Sequence, residues 1–134
     1  MTTSCCRGTK RFYKELTKLK KSYPNVLDDL KSEFKDISFI DLFNRNYRLQ
    51  DAGNQRLIKH RVVNSHNQSG KSGGFRVYYI ANLPEEKVTF LTIYPKSNKH
   101  GKENLDKSAL RKIINEYKAE NNSKSFLTLD FEEI

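Results

Sequence analysis

The chain has 134 residues, 25 Lys+Arg against 16 Asp+Glu, a formal net charge of +9 and 36% hydrophobic residues. That suits one domain over 1–134 with a modest core and a heavily charged surface, and with accessory tails expected at 1–9 and about 122–134. No apolar run approaches the roughly 20 residues of a membrane span, and none near Met1 reads as a signal peptide. The adjacent Cys5 and Cys6 suit neither a disulfide scaffold nor a zinc site, so a cytoplasmic, membrane-free protein is expected.

Phe12, Leu16, Leu19 and Tyr23 recur at the spacing of one helix face, with Lys14, Lys18, Lys20 and Lys21 around the other sides. Tyr23-Pro24 ends that helix, because a residue before proline is pushed out of the α region. Asn25 then reads as an N-cap, with Asp28 and Asp29 in a first turn whose dipole favours anions. Leu27, Leu30, Phe34 and Ile37 repeat the spacing, so residues 11–37 are expected to form a helical hairpin. Ser38 to Phe43 reads as an extension of its second helix. Asp51-Ala52-Gly53-Asn54 is a turn signal.

From there the period becomes two. Leu57 to Val63 mixes apolar and basic residues as a strand does, and Asn64 to Gly74 is a polar loop. Phe75 to Ile80 is a β-branched and aromatic strand, 82–86 a hairpin turn, and Val88 to Tyr94 the next strand, closed by Pro95. Asp106 is a plausible N-cap for a last helix with Leu110, Ile113, Ile114 and Tyr117 on one face. Leu127, Leu129 and Phe131 alternate as in a short strand. The expected order is α-α-β-β-β-α, an α+β domain with its helices on one face of a small antiparallel sheet.

Charge is concentrated in the middle. Residues 53–102 hold nine basic residues and two acidic ones, Glu85 and Glu86. A surface so poor in acids fits a polyanionic partner. Lys59 and Arg61 are two apart on a strand and point to one face, while His60 points to the other. Arg76 on the neighbouring strand joins that face, its side chain expected toward solvent, and Lys96 reaches the rim. Such a cluster suits a phosphodiester, which the arginine fork grips at two oxygens. Tyr78, Tyr79 and Tyr94 are candidates for base stacking, although alternation sends Tyr78 and Tyr79 to opposite faces. Gly70-Lys71-Ser72 is not a P-loop, because Ser65 stands where the first glycine is needed and a strand follows. His60, His66 and His100 have no ligand spacing, and neither metal nor cofactor is expected.

The segments Ile58-Lys59-His60-Arg61-Val62, Gly70-Lys71-Ser72-Gly73-Gly74-Phe75-Arg76-Val77-Tyr78-Tyr79 and Leu91-Thr92-Ile93-Tyr94-Pro95-Lys96-Ser97 together resemble the RelE/HigB family of bacterial toxins. So does the basic helical hairpin upstream. The likeness spans roughly residues 10 to 118. It implies a RelE-like fold, with the N-terminal helical hairpin packed on a small antiparallel sheet and a C-terminal helix. It also implies a metal-independent, ribosome-dependent mRNA endonuclease of a type II toxin–antitoxin system, neutralised by a cognate antitoxin of helix-turn-helix type. In that family the 2′-hydroxyl attacks the adjacent phosphate.

Carried over by position, Lys59, Arg61, Arg76 and Lys96 are the catalytic set, and Lys71, Tyr94 and Lys99 the RNA contacts. Lys59 or Arg61 acts on the 2′-hydroxyl, Lys59 being the better base because a guanidinium stays charged. Arg76 and Lys96 hold the phosphate. The tyrosine some relatives carry near the C-terminus has no counterpart, with Tyr94 the nearest substitute. Two other readings compete: a ParE-like toxin of the same superfamily that inhibits DNA gyrase, and a non-catalytic basic RNA-binding module.

Overall fold

The structure is a computed structural model that describes residues 6–46, 48–66, 73–96 and 104–128. Strand β1 (Cys6–Gly8) leads into helices α1 (Lys10–Ser22), α2 (Val26–Phe34) and α3 (Phe39–Phe43). Strands β2 (Arg48–Asp51), β3 (Gln55–Val62), β4 (Phe75–Asn82) and β5 (Lys87–Pro95) follow, then helix α4 (Lys107–Ser123) and strand β6 (Leu127–Thr128). The fold is α+β, with one mixed sheet in the order β2-β3-β4-β5-β1-β6.

Two expectations about the sheet are corrected. It is not purely antiparallel, because β1 pairs with β5 in parallel, Cys6 to Val88 and Gly8 to Phe90. Nor do the helices share one face. Phe12 and Leu16 of α1, Leu30 and Phe34 of α2 and Leu42 of α3 pack with Ile58, Val62, Val77, Tyr79, Phe90 and Ile93 on one face. Ile113 and Tyr117 of α4 pack with Leu57, Tyr78, Ile80 and Leu91 on the other. The reason lies in the strands. Both sets of alternate positions in β3 and β4 carry apolar residues, so both faces need cover. Each buried aromatic or leucine contributes roughly 1.5–3 kcal/mol.

Residues 6–9, within the tail expected over 1–9, belong to the fold, while residues 1–5 lie outside the described residues. Cys6 is buried in the first core, and Thr9 caps α1, its hydroxyl accepting from the Phe12 N–H. Beyond Gly8 the edge of β5 is covered by α1. Glu15 accepts from the Thr92 hydroxyl at 2.6 Å and from the Ile93 N–H at 3.3 Å, satisfying an edge donor that would otherwise need a strand. Burial raises the Glu15 pKa, and those two hydrogen bonds oppose the rise. Arg11 beside Glu15 grips Glu116 of α4 through two nitrogens, at 2.5 and 2.8 Å, which ties the two layers at the sheet edge. That hydrogen bond holds the Glu116 carboxyl below its ordinary range.

Residues 38–43 do not extend α2. Lys35 and Asp36 turn the chain, and the Ser38 hydroxyl accepts from the Asp41 N–H to start α3. Asn25 stands at the start of α2, but its side chain makes no capping bond. Asp106 does cap α4, accepting from the Ala109 N–H at 2.8 Å. Residues 122–128 contribute the end of α4 and β6, which pairs with β1, and the rest of the tail expected from about 122 lies outside the described residues. No helix among the described residues is long and apolar enough to cross a membrane.

A one-residue irregularity in β5 has a positional effect. Tyr78 pairs with Thr92 but Tyr79 with Phe90, which leaves Leu91 as an extra residue. Phe90 and Ile93 therefore both face the first core, and the phase of the strand flips. Tyr94 lands on the second face, packed against the Tyr78 cluster.

At the mouth of β4, a Cβ on Gly74 would sit 2.0 Å from the Val62 carbonyl oxygen and 3.1 Å from the Asn64 nitrogen. Both are backbone atoms of the end of β3 and cannot swing aside. Gly74→Ala is expected to destabilise the protein by about 2–4 kcal/mol through strand separation. Urea unfolding measures it, and an unchanged midpoint would contradict the close approach.

Candidate nucleic-acid site

Antiparallel pairing assembles the basic residues. Arg61 of β3 stands opposite Arg76 of β4, and Arg76 opposite Tyr94 of β5, a row across three strands. Lys59, Tyr78 and Thr92 form the next row. Lys59, Arg61, Arg76 and Tyr94 thus share the face that carries α4. His60 goes to the other face, as alternation requires, where its Nε2 lies 2.8 Å from Glu33 Oε1 of α2 and its ring packs on Phe34. Lys96 follows β5 directly. Its N–H donates to the Gly74 carbonyl at 3.0 Å, which sets it at the rim beside the Arg76 row.

Arg76 corrects the expectation of a solvent-facing side chain: it is 0% exposed. The cause is its strand. Every residue of β4 is buried, so an even-numbered side chain enters the second layer as fully as an odd-numbered one enters the first. Its Nη1 reaches the Gly74 and Phe75 carbonyls at 3.5 Å. Lys59 is only 6% exposed, and its Nζ donates to Asn104 Oδ1 at 2.9 Å. Tyr78 and Tyr79 are both fully buried, which removes them as base-stacking platforms. The Tyr79 hydroxyl donates to the Leu42 carbonyl at 2.7 Å, and burial raises its pKa. Tyr94 is half-buried, its hydroxyl 3.4 Å from that of Tyr78. Lys71 and Lys99 lie outside the described residues.

The register sets Arg61 and Arg76 directly across from each other, with Lys59 one row away. Like charges opposed in a sheet repel. A phosphodiester has the charge and the oxygens to complement this cluster, but Arg76 is fully buried and Lys59 nearly so, and they meet it only when the cover over this face opens. Among the described residues no three His, Cys, Asp or Glu side chains are placed to hold a metal ion.

Sequence reasoning missed Asn104 and the hydroxyl of Tyr78. The latter accepts from the Leu105 N–H at 2.9 Å, so the approach to α4 is pinned over the site at two points. Neither contact has a local signal, since the partners are 45 and 27 residues apart. Comparison of the chain with protein-family models, curated proteins and solved structures finds no match in any of the three.

Asn104→Ala removes one acceptor from a buried ammonium. It is expected to lower stability by about 1 kcal/mol and to speed acylation of Lys59 by an amine-reactive ester, followed by mass spectrometry. Unchanged Lys59 labelling would show that Asn104 does not restrain it.

Proposed function

We propose that the chain is the toxin of a type II toxin–antitoxin pair, a metal-independent and ribosome-dependent mRNA endonuclease of the RelE/HigB kind acting in the cytoplasm. The observation that carries this reading is the convergence of Lys59, Arg61 and Arg76 on one face of three adjacent strands, with Lys96 at its rim. The motif resemblance, which rests on the same segments, supports it.

In the proposed reaction the ribose 2′-oxygen attacks the neighbouring phosphorus and the 5′-oxygen of the next nucleotide leaves. The products are a 2′,3′-cyclic phosphate and a 5′-hydroxyl. Lys59, as the neutral amine, takes the 2′-proton, and water supplies the proton that the departing 5′-oxygen needs to become a hydroxyl. Arg61 and Arg76 stabilise the charge that gathers on the phosphoryl oxygens, and Lys96 holds the backbone at the rim. Tyr94 packs beside the entering nucleotide. Access requires the residues ahead of α4 to release Lys59 from Asn104. A cognate antitoxin that covers the basic face would block the same access.

The burial of Arg76 and Lys59 favours a second reading, in which these cations brace the sheet of a non-catalytic toxin or RNA-binding module. Cleavage separates the two. On programmed ribosomes, Arg76→Ala is expected to lower mRNA cleavage by about 10²–10³, and Arg76→Lys to recover part of it. Because the side chain is buried, Arg76→Ala also lowers the melting temperature. Arg76→Met, which keeps most of the volume and loses the fork, separates folding from chemistry. Wild-type cleavage by a folded Arg76→Met protein would overturn the assignment.

A further inference from the structure

A second basic surface lies away from the strands. Lys10, Lys14, Lys18 and Lys21 of α1 fall within about 80° of arc and run about 16 Å along the helix. All four are exposed. Phe12 and Leu16 occupy the opposite side, buried against the sheet. None of the four lysines takes part in an ion pair among the described residues, and the neighbouring carboxylates are engaged elsewhere. Glu15 holds the β5 edge and Glu116 holds Arg11, while Glu120 accepts from the Lys10 backbone N–H.

Only Lys21, in the last turn, is favoured by the helix dipole; the rest of the stripe does not serve the helix. Like charges three or four residues apart on a helix repel, and Lys10 sits in a first turn that contains no acid, where the dipole disfavours a cation. Its spacing of about 6 Å per step matches the scale of successive phosphates along a nucleic-acid strand. No aromatic residue interrupts it, and stacking platforms are what single-strand binders need. At the far end of α1, Tyr23 packs edge-on against Phe75 of β4 with ring centroids 5.4 Å apart, on the sheet face opposite the basic row.

We propose that the exposed lysine stripe of α1 docks the phosphate backbone of double-helical RNA. Its setting rests on the ribosome-directed reading above, because structured ribosomal RNA presents such backbones beside the mRNA path. The surface reads shape and charge, without sequence preference.

The test measures anisotropy of a labelled short RNA duplex and of a single strand of equal length across a salt series. The full chain is compared with a variant carrying Lys10→Gln, Lys14→Gln, Lys18→Gln and Lys21→Gln. A charge-matched control carries Lys107→Gln, Arg111→Gln, Lys112→Gln and Lys118→Gln on α4. The stripe variant is expected to lose at least about tenfold in duplex affinity, with the slope of log K on log salt shallower by about 3, and the control markedly less. Equal losses in both variants would show a net-charge effect and overturn the proposal. So would wild-type duplex binding by the stripe variant, or a loss confined to the single strand. Cleavage on programmed ribosomes is scored separately with the wild-type chain. Stripe-dependent duplex binding without cleavage removes the nuclease reading and keeps the docking surface. Cleavage with stripe-independent binding does the reverse.

Discussion

Strand β4 is buried on both faces along its whole length, and the rest of the molecule is arranged around that constraint. A strand with no solvent face needs a layer above and a layer below. The α1–α2–α3 layer covers Val77 and Tyr79, and α4 covers Tyr78 and Ile80. Arg76 shares the alternation of the second set, so the same constraint that builds the core carries a guanidinium into it. Putting a charge there costs several kcal/mol before compensation, and the Gly74 and Phe75 carbonyls offset part of that cost.

The two layers are joined where the sheet is weakest. β5 has a strand partner on its outer side only as far as Phe90, so Glu15 takes over the hydrogen bonding at Ile93. The Arg11–Glu116 pair then links α1 to α4 across the same edge. At the opposite edge, β2 is short, exposed and charged through Arg48 and Asp51, a composition that resists pairing with another sheet. Helix α4 is thus held at one end by α1 and at the other by Asn104 and Leu105 above the basic row.

Local signals in the sequence were sufficient for α1, α2, β3, β4, β5 and α4. Their apolar spacing, the Tyr23-Pro24 break and the Asp106 cap act over a few residues. They were also sufficient for the shared face of Lys59, Arg61 and Arg76, which follows from period-two alternation. What escaped depends on distant partners. Cys6–Gly8 becomes a strand only because Val88–Phe90 lies beside it. The extra residue at Leu91 shows only in the register against β4, yet it decides where Tyr94 points. The exposure of Arg76 was misjudged for a related reason. A basic residue suggests a surface, whereas its burial follows from the cover supplied to β4 by both layers.

In the proposed reaction the basic row on β3 and β4 stabilises attack by a ribose 2′-oxygen on its own phosphodiester. The most direct measurement places one 2′-deoxy nucleotide at the scissile position of an mRNA on programmed ribosomes, in the presence of a chelator. The all-ribose message is expected to be cut to a 2′,3′-cyclic phosphate and a 5′-hydroxyl, and the substituted message to stay uncut at that position. Equal cleavage of both messages, or a 5′-phosphate on the product, would contradict it.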